Sequence, residues 1–228
     1  MKILVDLLKF LDNSYNLSIK RINYTSILEE IINAIIHGLG VIFGIVGVAV
    51  LLIFSSKNGN IEKIVGLSIF GATLILMYLI STLFHCLSYT RAKRVFRILD
   101  HSSIFLFIAG TYSLFTLVTL KGSLGIILLT AVWMMAICGI LFRIFYIDKL
   151  KLSLVMYLSL GWMGVVLAAK PLVSHLPARG FTLLLSGGII YTVGILFYIW
   201  KRLRFHHGLW HLCVLGGSVC HFAAMFYI

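Results

Sequence analysis

Residues 31–54 read IINAIIHGLGVIFGIVGVAVLLIF, twenty-four positions without a formal charge. About 20 mostly apolar residues in a helix cross the roughly 30 Å of bilayer hydrocarbon, so this stretch is long enough to span with some tilt. Further apolar runs at 64–88, 99–120, 123–146, 152–171, 181–200 and 209–228 are separated by short charged breaks. The chain is therefore read as an all-α integral membrane protein, a bundle of seven transmembrane helices. The fourth and fifth runs are divided only by residues 147–151, and Gly139 and Arg143 interrupt the end of the fourth, so six spans is the alternative. None of the runs alternates in polarity over about ten residues, which argues against a barrel.

Composition agrees with a membrane protein. Hydrophobic residues fill 61% of 228 positions and charged residues only 11%, against about a quarter charged in soluble domains. The expected layout is a cytoplasmic amphipathic arm over residues 1–30, with no cleavage site of the signal-peptide kind, followed by one transmembrane domain over 31–228. The net charge of +12 comes from 19 Lys and Arg scattered through the breaks, a distribution that speaks for topology and against nucleic acid. With the N-terminus inside, the cytoplasm receives Lys2, Lys9, Lys20, Arg21, Arg91, Lys93, Arg94, Arg97, Arg143, Lys149, Lys151, Lys201, Arg202 and Arg204. The other side receives Lys57, Lys63, Lys121, Lys170 and Arg179. Fourteen against five favours N-in, C-out in the cell membrane. The four cysteines form no CxxC pair and are expected to be reduced and packed.

Polar side chains at membrane depth are costly and mark candidate sites. Ser81-x-x-x-His85 closes the second span and His207-x-x-x-His211 opens the seventh. The i, i+4 spacing puts each pair on one helix face, so His207 and His211 can share a metal ion while Ser81 lies beside His85. The charge count places both ends, and Asp100 at the start of the third span, on the same side of the membrane. Three neutral imidazoles with a carboxylate nearby suit a zinc ion that keeps an open position for water or substrate, a hydrolytic arrangement. Basic, His-rich helix ends also serve simply to face lipid phosphates, and the pattern admits both readings.

Glu30, Asn33 and His37 share one face at the start of the first span, either as a polar network supporting the site or as a helix start with interhelical packing. His101 points about 100° away from Asp100 and reads as interfacial. His206 lacks an i+4 histidine, His221 lies about 15 Å along the helix from His211, and His175 falls in an outer loop. Gly38, Gly40, Gly44, Gly47, Gly187 and Gly188 read as close-packing positions. A retinal protein would need a lysine in the last span, and none follows Lys201.

Several blocks together carry a family resemblance: Glu30-Ile-Ile-Asn33-Ala-Ile-Ile-His37-Gly-Leu-Gly, Ser81-x-x-x-His85-Cys86, Arg97-Ile-Leu-Asp100-His101-Ser-Ser-Ile, Ile108-Ala-Gly-Thr-Tyr112, and His207-Gly-Leu-Trp-His211 with Gly216-Gly-Ser218. On these the chain resembles the bacterial haemolysin III-like proteins, relatives of the progestin and adipoQ receptors and, more widely, of alkaline ceramidases. The resemblance implies zinc held by His85, His207 and His211, with Asp100 holding or activating the metal water and Ser81 adjacent. It departs from the family where Ser113 and Leu114 replace the usual Thr-Pro after Gly-Thr-Tyr, which removes a proline kink. The implied activity is hydrolysis of a lipid amide or ester, with a membrane lipid as substrate. The alternative is a non-enzymatic lipid-sensing or membrane-homeostasis protein with structural zinc, and a third reading is a cytolysin.

Overall fold

The computed structural model describes residues 24–57, 59–120 and 122–228; most of the expected N-terminal arm lies outside them. Among the described residues, seven helices are long and apolar enough to cross a membrane, and no strand occurs. They are α1 (Tyr24–Ser56), α2 (Ile61–Cys86), α3 (Lys93–Leu114), α4 (Gly122–Phe145), α5 (Leu150–His175), α6 (Ala178–Ile199) and α7 (His206–Ala224). The fourth and fifth apolar runs are thus separate helices, which excludes the six-span alternative.

Consecutive helices lie side by side and α7 returns to pack on α1, closing the bundle into a ring. Helices α2 and α3 are the most enclosed. Leu67, Phe70, Leu74 and Tyr78 of α2 and Leu114 of α3 are fully buried, and Phe105 of α3 nearly so. The outer faces carry exposed Ile42, Ile53, Ile126 and Val166, as expected where the solvent is lipid tail rather than water. The 33 residues of α1 run roughly 50 Å, beyond the hydrocarbon thickness, and Glu30 lies in its second turn.

Two glycines show how closely the helices approach. A Cβ on Gly40 would meet the Tyr78 ring at 2.5 Å, and one on Gly187 would meet the His221 ring at 2.3 Å. Gly38 and Gly188 have only ordinary van der Waals neighbours. The cysteines are free, but Cys86 and Cys138 are exposed rather than packed.

Where the proline is missing, α3 continues unbroken through Ser113 and Leu114 and loosens into a π-helical turn at Phe115–Thr119. Tyr112 then fastens α3 to α5, its hydroxyl donating to Gly161 O at 2.8 Å and accepting from Gly164 N at 2.6 Å. Beyond that fastening, α5 has a non-helical residue at Ala168 and carries Pro171, whose ring cannot follow an unbroken helical turn. Helix α5 packs lightly on its neighbours, and an internal cavity lies between it and α3, α6 and α7.

Arg143 overturns a simpler expectation. Assigned by sequence to a cytoplasmic loop, it sits inside α4 and is fully buried, bonding Ser153 Oγ at 3.1 Å and the His101 ring. His101 is therefore not an interfacial side chain. It holds the arginine, lines the cavity, and its carbonyl accepts from Tyr157 at 2.7 Å.

Candidate metal centre

Three helices bring the polar groups to one place. On α2, Ser81 and His85 both face inward and are buried. On α7, His207 and His211 stand one turn apart, their rings 4.4 Å from centroid to centroid. The turn into α7 is made by Phe205 at φ 58°, a left-handed conformation that a bulky residue adopts only under tertiary constraint. That turn sets the direction from which His207 enters the bundle.

His85, His207 and His211 each offer a ligand atom within 4.8 Å of the others. The Nε2 atoms of His85 and His211 face each other at 2.9 Å. Ligands about 2.1 Å from a tetrahedral ion stand about 3.4 Å apart, so the separations bracket that value and small ring rotations reach it. His207 Nε2 and His211 Nδ1 are buried without a hydrogen-bond partner among the described residues. A buried polar atom left so carries a desolvation cost of roughly 1–3 kcal/mol. A cation shared by the three rings would relieve both the facing lone pairs and the unpartnered nitrogen, so the donor set fits a metal ion.

The first helix supplies the support. Glu30 Oε2 lies 2.6 Å from His85 Nδ1 and Glu30 Oε1 4.0 Å from Lys93 Nζ. An ionised carboxylate accepting from Nδ1–H leaves the Nε2 lone pair of His85 pointing into the cluster, an arrangement that orients metal-ligating histidines and raises their basicity. Asn33 places its amide against Gly208, where a Cβ would stand 3.3 Å from Oδ1. His37 lies against both His211, at 3.8 Å between ring centroids, and Tyr78, at 5.0 Å. Of the face of Glu30, Asn33 and His37, Glu30 and His37 thus reach the cluster by separate contacts, and Asn33 packs beside it at Gly208. If that carboxylate aims His85, Glu30→Gln should weaken zinc binding about 10- to 100-fold with the helices intact. Competition with a chromogenic chelator measures it, and an unchanged affinity would remove Glu30 from the site.

Asp100, on α3, is buried beside Ser81, and both line the cavity. The Ser81 hydroxyl nevertheless completes no hydrogen bond of ordinary geometry. His206 and His221 stand outside the cluster, His221 Nε2 facing the Leu184 carbonyl at 3.2 Å. His175 is exposed at the end of α5. Ser81, Asp100, His207 and His211 form the polar end of the internal cavity, of about 160 Å³. Its remaining wall is mostly apolar, including Ile104, Phe107, Leu154, Leu158, Val165 and Ile195.

The model of the haemolysin-III related family matches residues 25–222. The chain belongs to that family. It is 46% identical to Hemolysin-3 of Bacillus cereus over 202 residues, covering 88% of this chain and 92% of the relative. Against the Hemolysin-3 homolog of Bacillus subtilis (strain 168) it is 47% identical over 203 residues, 89% and 93%. A more distant likeness, 28% over 204 residues, 86% and 83%, is to the human monocyte to macrophage differentiation factor. No solved structure matches. In this haemolysin III-related chain, Tyr198 and Trp210 join the site without having been singled out in the sequence. Tyr198 closes α6 beside a basic loop and reads there as an interfacial aromatic, yet its ring packs on His207 at 5.4 Å and on Trp210 at 5.6 Å.

Proposed function

We propose that this chain is a zinc-dependent hydrolase of a lipid amide or ester. The observation that carries the reading is the imidazole cluster, with Asp100 and Ser81 beside it, at the polar end of a mostly apolar cavity inside a membrane bundle. His85, His207 and His211 would hold the ion. Bound there, zinc supplies Lewis-acid polarisation of an acyl carbonyl and lowers the pKa of water. Asp100 would accept the proton that the attacking water gives up and return it to the leaving amine or alcohol. Ser81, beside that carboxylate, would hydrogen-bond it after a turn of its hydroxyl, and the apolar walls would exclude bulk water while holding the acyl chain. The test is turnover of a mixed panel of ceramides and other acyl lipids by the purified protein, with and without chelator. Product that chelator suppresses supports the reading; a panel without such product gives it up.

The proposed orientation is N-terminus in the cytoplasm and C-terminus outside, supported by the fourteen-to-five distribution of Lys and Arg. Reporter fusions at the two termini should be active inside and outside respectively. A cytoplasmic C-terminal reporter would reverse the face on which the cluster opens.

A further inference from the structure

Four tyrosines line the cavity, and three have committed their hydroxyls. Tyr112 is bound to the backbone of α5, Tyr157 donates to the His101 carbonyl at 2.7 Å, and Tyr191 shares Ser218 Oγ at 3.0 Å. The fourth, Tyr198, makes no hydrogen bond through its hydroxyl to any described residue, although its side chain is buried to 9% exposure. Its ring is fixed on three sides by His207, Trp210 and the Lys201 ammonium, which lies 4.5 Å from the ring centroid. Tyr198 and Asp100 both line the cavity, so the phenol and the acid of the site share one space. A rigidly held donor without a protein acceptor, against a ring of the histidine cluster, is what an acyl oxygen entering the cavity would meet.

We infer that the Tyr198 hydroxyl is a substrate-contacting hydrogen-bond donor, aimed at the acyl oxygen of a lipid whose chain occupies the cavity. The inference rests on the acyl-lipid reading above. The phenol keeps its proton throughout. It donates to the carbonyl oxygen in the ground state and more strongly as negative charge gathers there, the role of an oxyanion-hole donor. A fatty-acid carboxylate offers the same acceptor without any turnover.

The experiment is oleate titrated into the zinc-loaded, full-length protein in detergent, followed as thermal stabilisation, for wild type and Tyr198→Phe. Zinc content and the melting temperature without oleate are measured alongside. Phenylalanine keeps the packing on His207 and Trp210 and removes only the hydroxyl. The expected result is at least about tenfold weaker oleate binding, the lower end for losing a hydrogen bond to a charged group, with zinc and basal stability unchanged. In any lipid that wild type hydrolyses, kcat should fall about 10²-fold or more with KM little altered. Equal oleate affinity in the two proteins overturns the inference and leaves the hydrolase reading standing. Loss of zinc or of basal stability in Tyr198→Phe also overturns it, since the residue would then be bracing His207. A wild type that neither binds oleate nor releases any product brings down the acyl-lipid reading, and this inference with it.

Discussion

Purified protein is expected to carry about one zinc ion per chain, and His85→Ala or His207→Ala to remove it. Three imidazoles are the protein ligand set of an open tetrahedral zinc site. The cluster draws one ligand from α2 and two from α7. Losing His207 leaves two donors, and losing His85 also leaves Glu30 without its partner at 2.6 Å. Neither remainder holds zinc against a modest chelator. Because an ion shared by His85, His207 and His211 would tie α2 to α7, its removal should also lower the melting temperature, as expected for any ligand bound only by the folded state. His221→Ala is the control. It deletes a partly buried histidine on the same helix whose ring faces a carbonyl instead of the cluster, and its zinc content should match wild type. Equal zinc in wild type, His85→Ala and His207→Ala by elemental analysis would dismiss the metal site.

The parts of this site written in helical periodicity could be read from the chain, and those that depend on how helices rotate against one another could not. Ser81 with His85 and His207 with His211 are four apart, so each pair must share a face whatever the bundle does. The positive residues of the loops bring both pairs and Asp100 to one end. That Glu30, and not Asn33 or His37, would meet His85 depends on the rotation of α1 about its axis, for which the sequence offers only a shared stripe of three polar residues. Arg143 misled for a related reason. It lies two residues from the end of α4, where an arginine ordinarily turns toward headgroups, and its burial depends on acceptors from α3 and α5 that no local pattern announces. Tyr198 was hidden by its company, an aromatic beside Lys201, Arg202 and Arg204 being what any membrane boundary looks like. Ser113 and Leu114 could be read directly, since a chain without the proline had no reason to break there, and α3 does not.

Asp100→Asn separates an enzyme from a scaffold. The change keeps the size of a side chain buried beside Ser81 and removes the carboxylate that would accept a proton. In a hydrolase, zinc should stay largely in place, because the three imidazoles are untouched, while turnover of the acyl lipid falls by about 10²- to 10⁴-fold, the range for loss of a general base. In a lipid-sensing or homeostatic protein that uses zinc as a brace between α2 and α7, the carboxylate would instead support the ligands from outside. The same substitution would then weaken zinc binding by about 10- to 100-fold or lower the melting temperature, with no product from wild type to begin with. The two outcomes differ in which quantity moves. Measuring zinc affinity, melting temperature and chelator-sensitive product on the same two preparations therefore decides between them, and Asp100→Asn with full wild-type turnover would exclude Asp100 as the base.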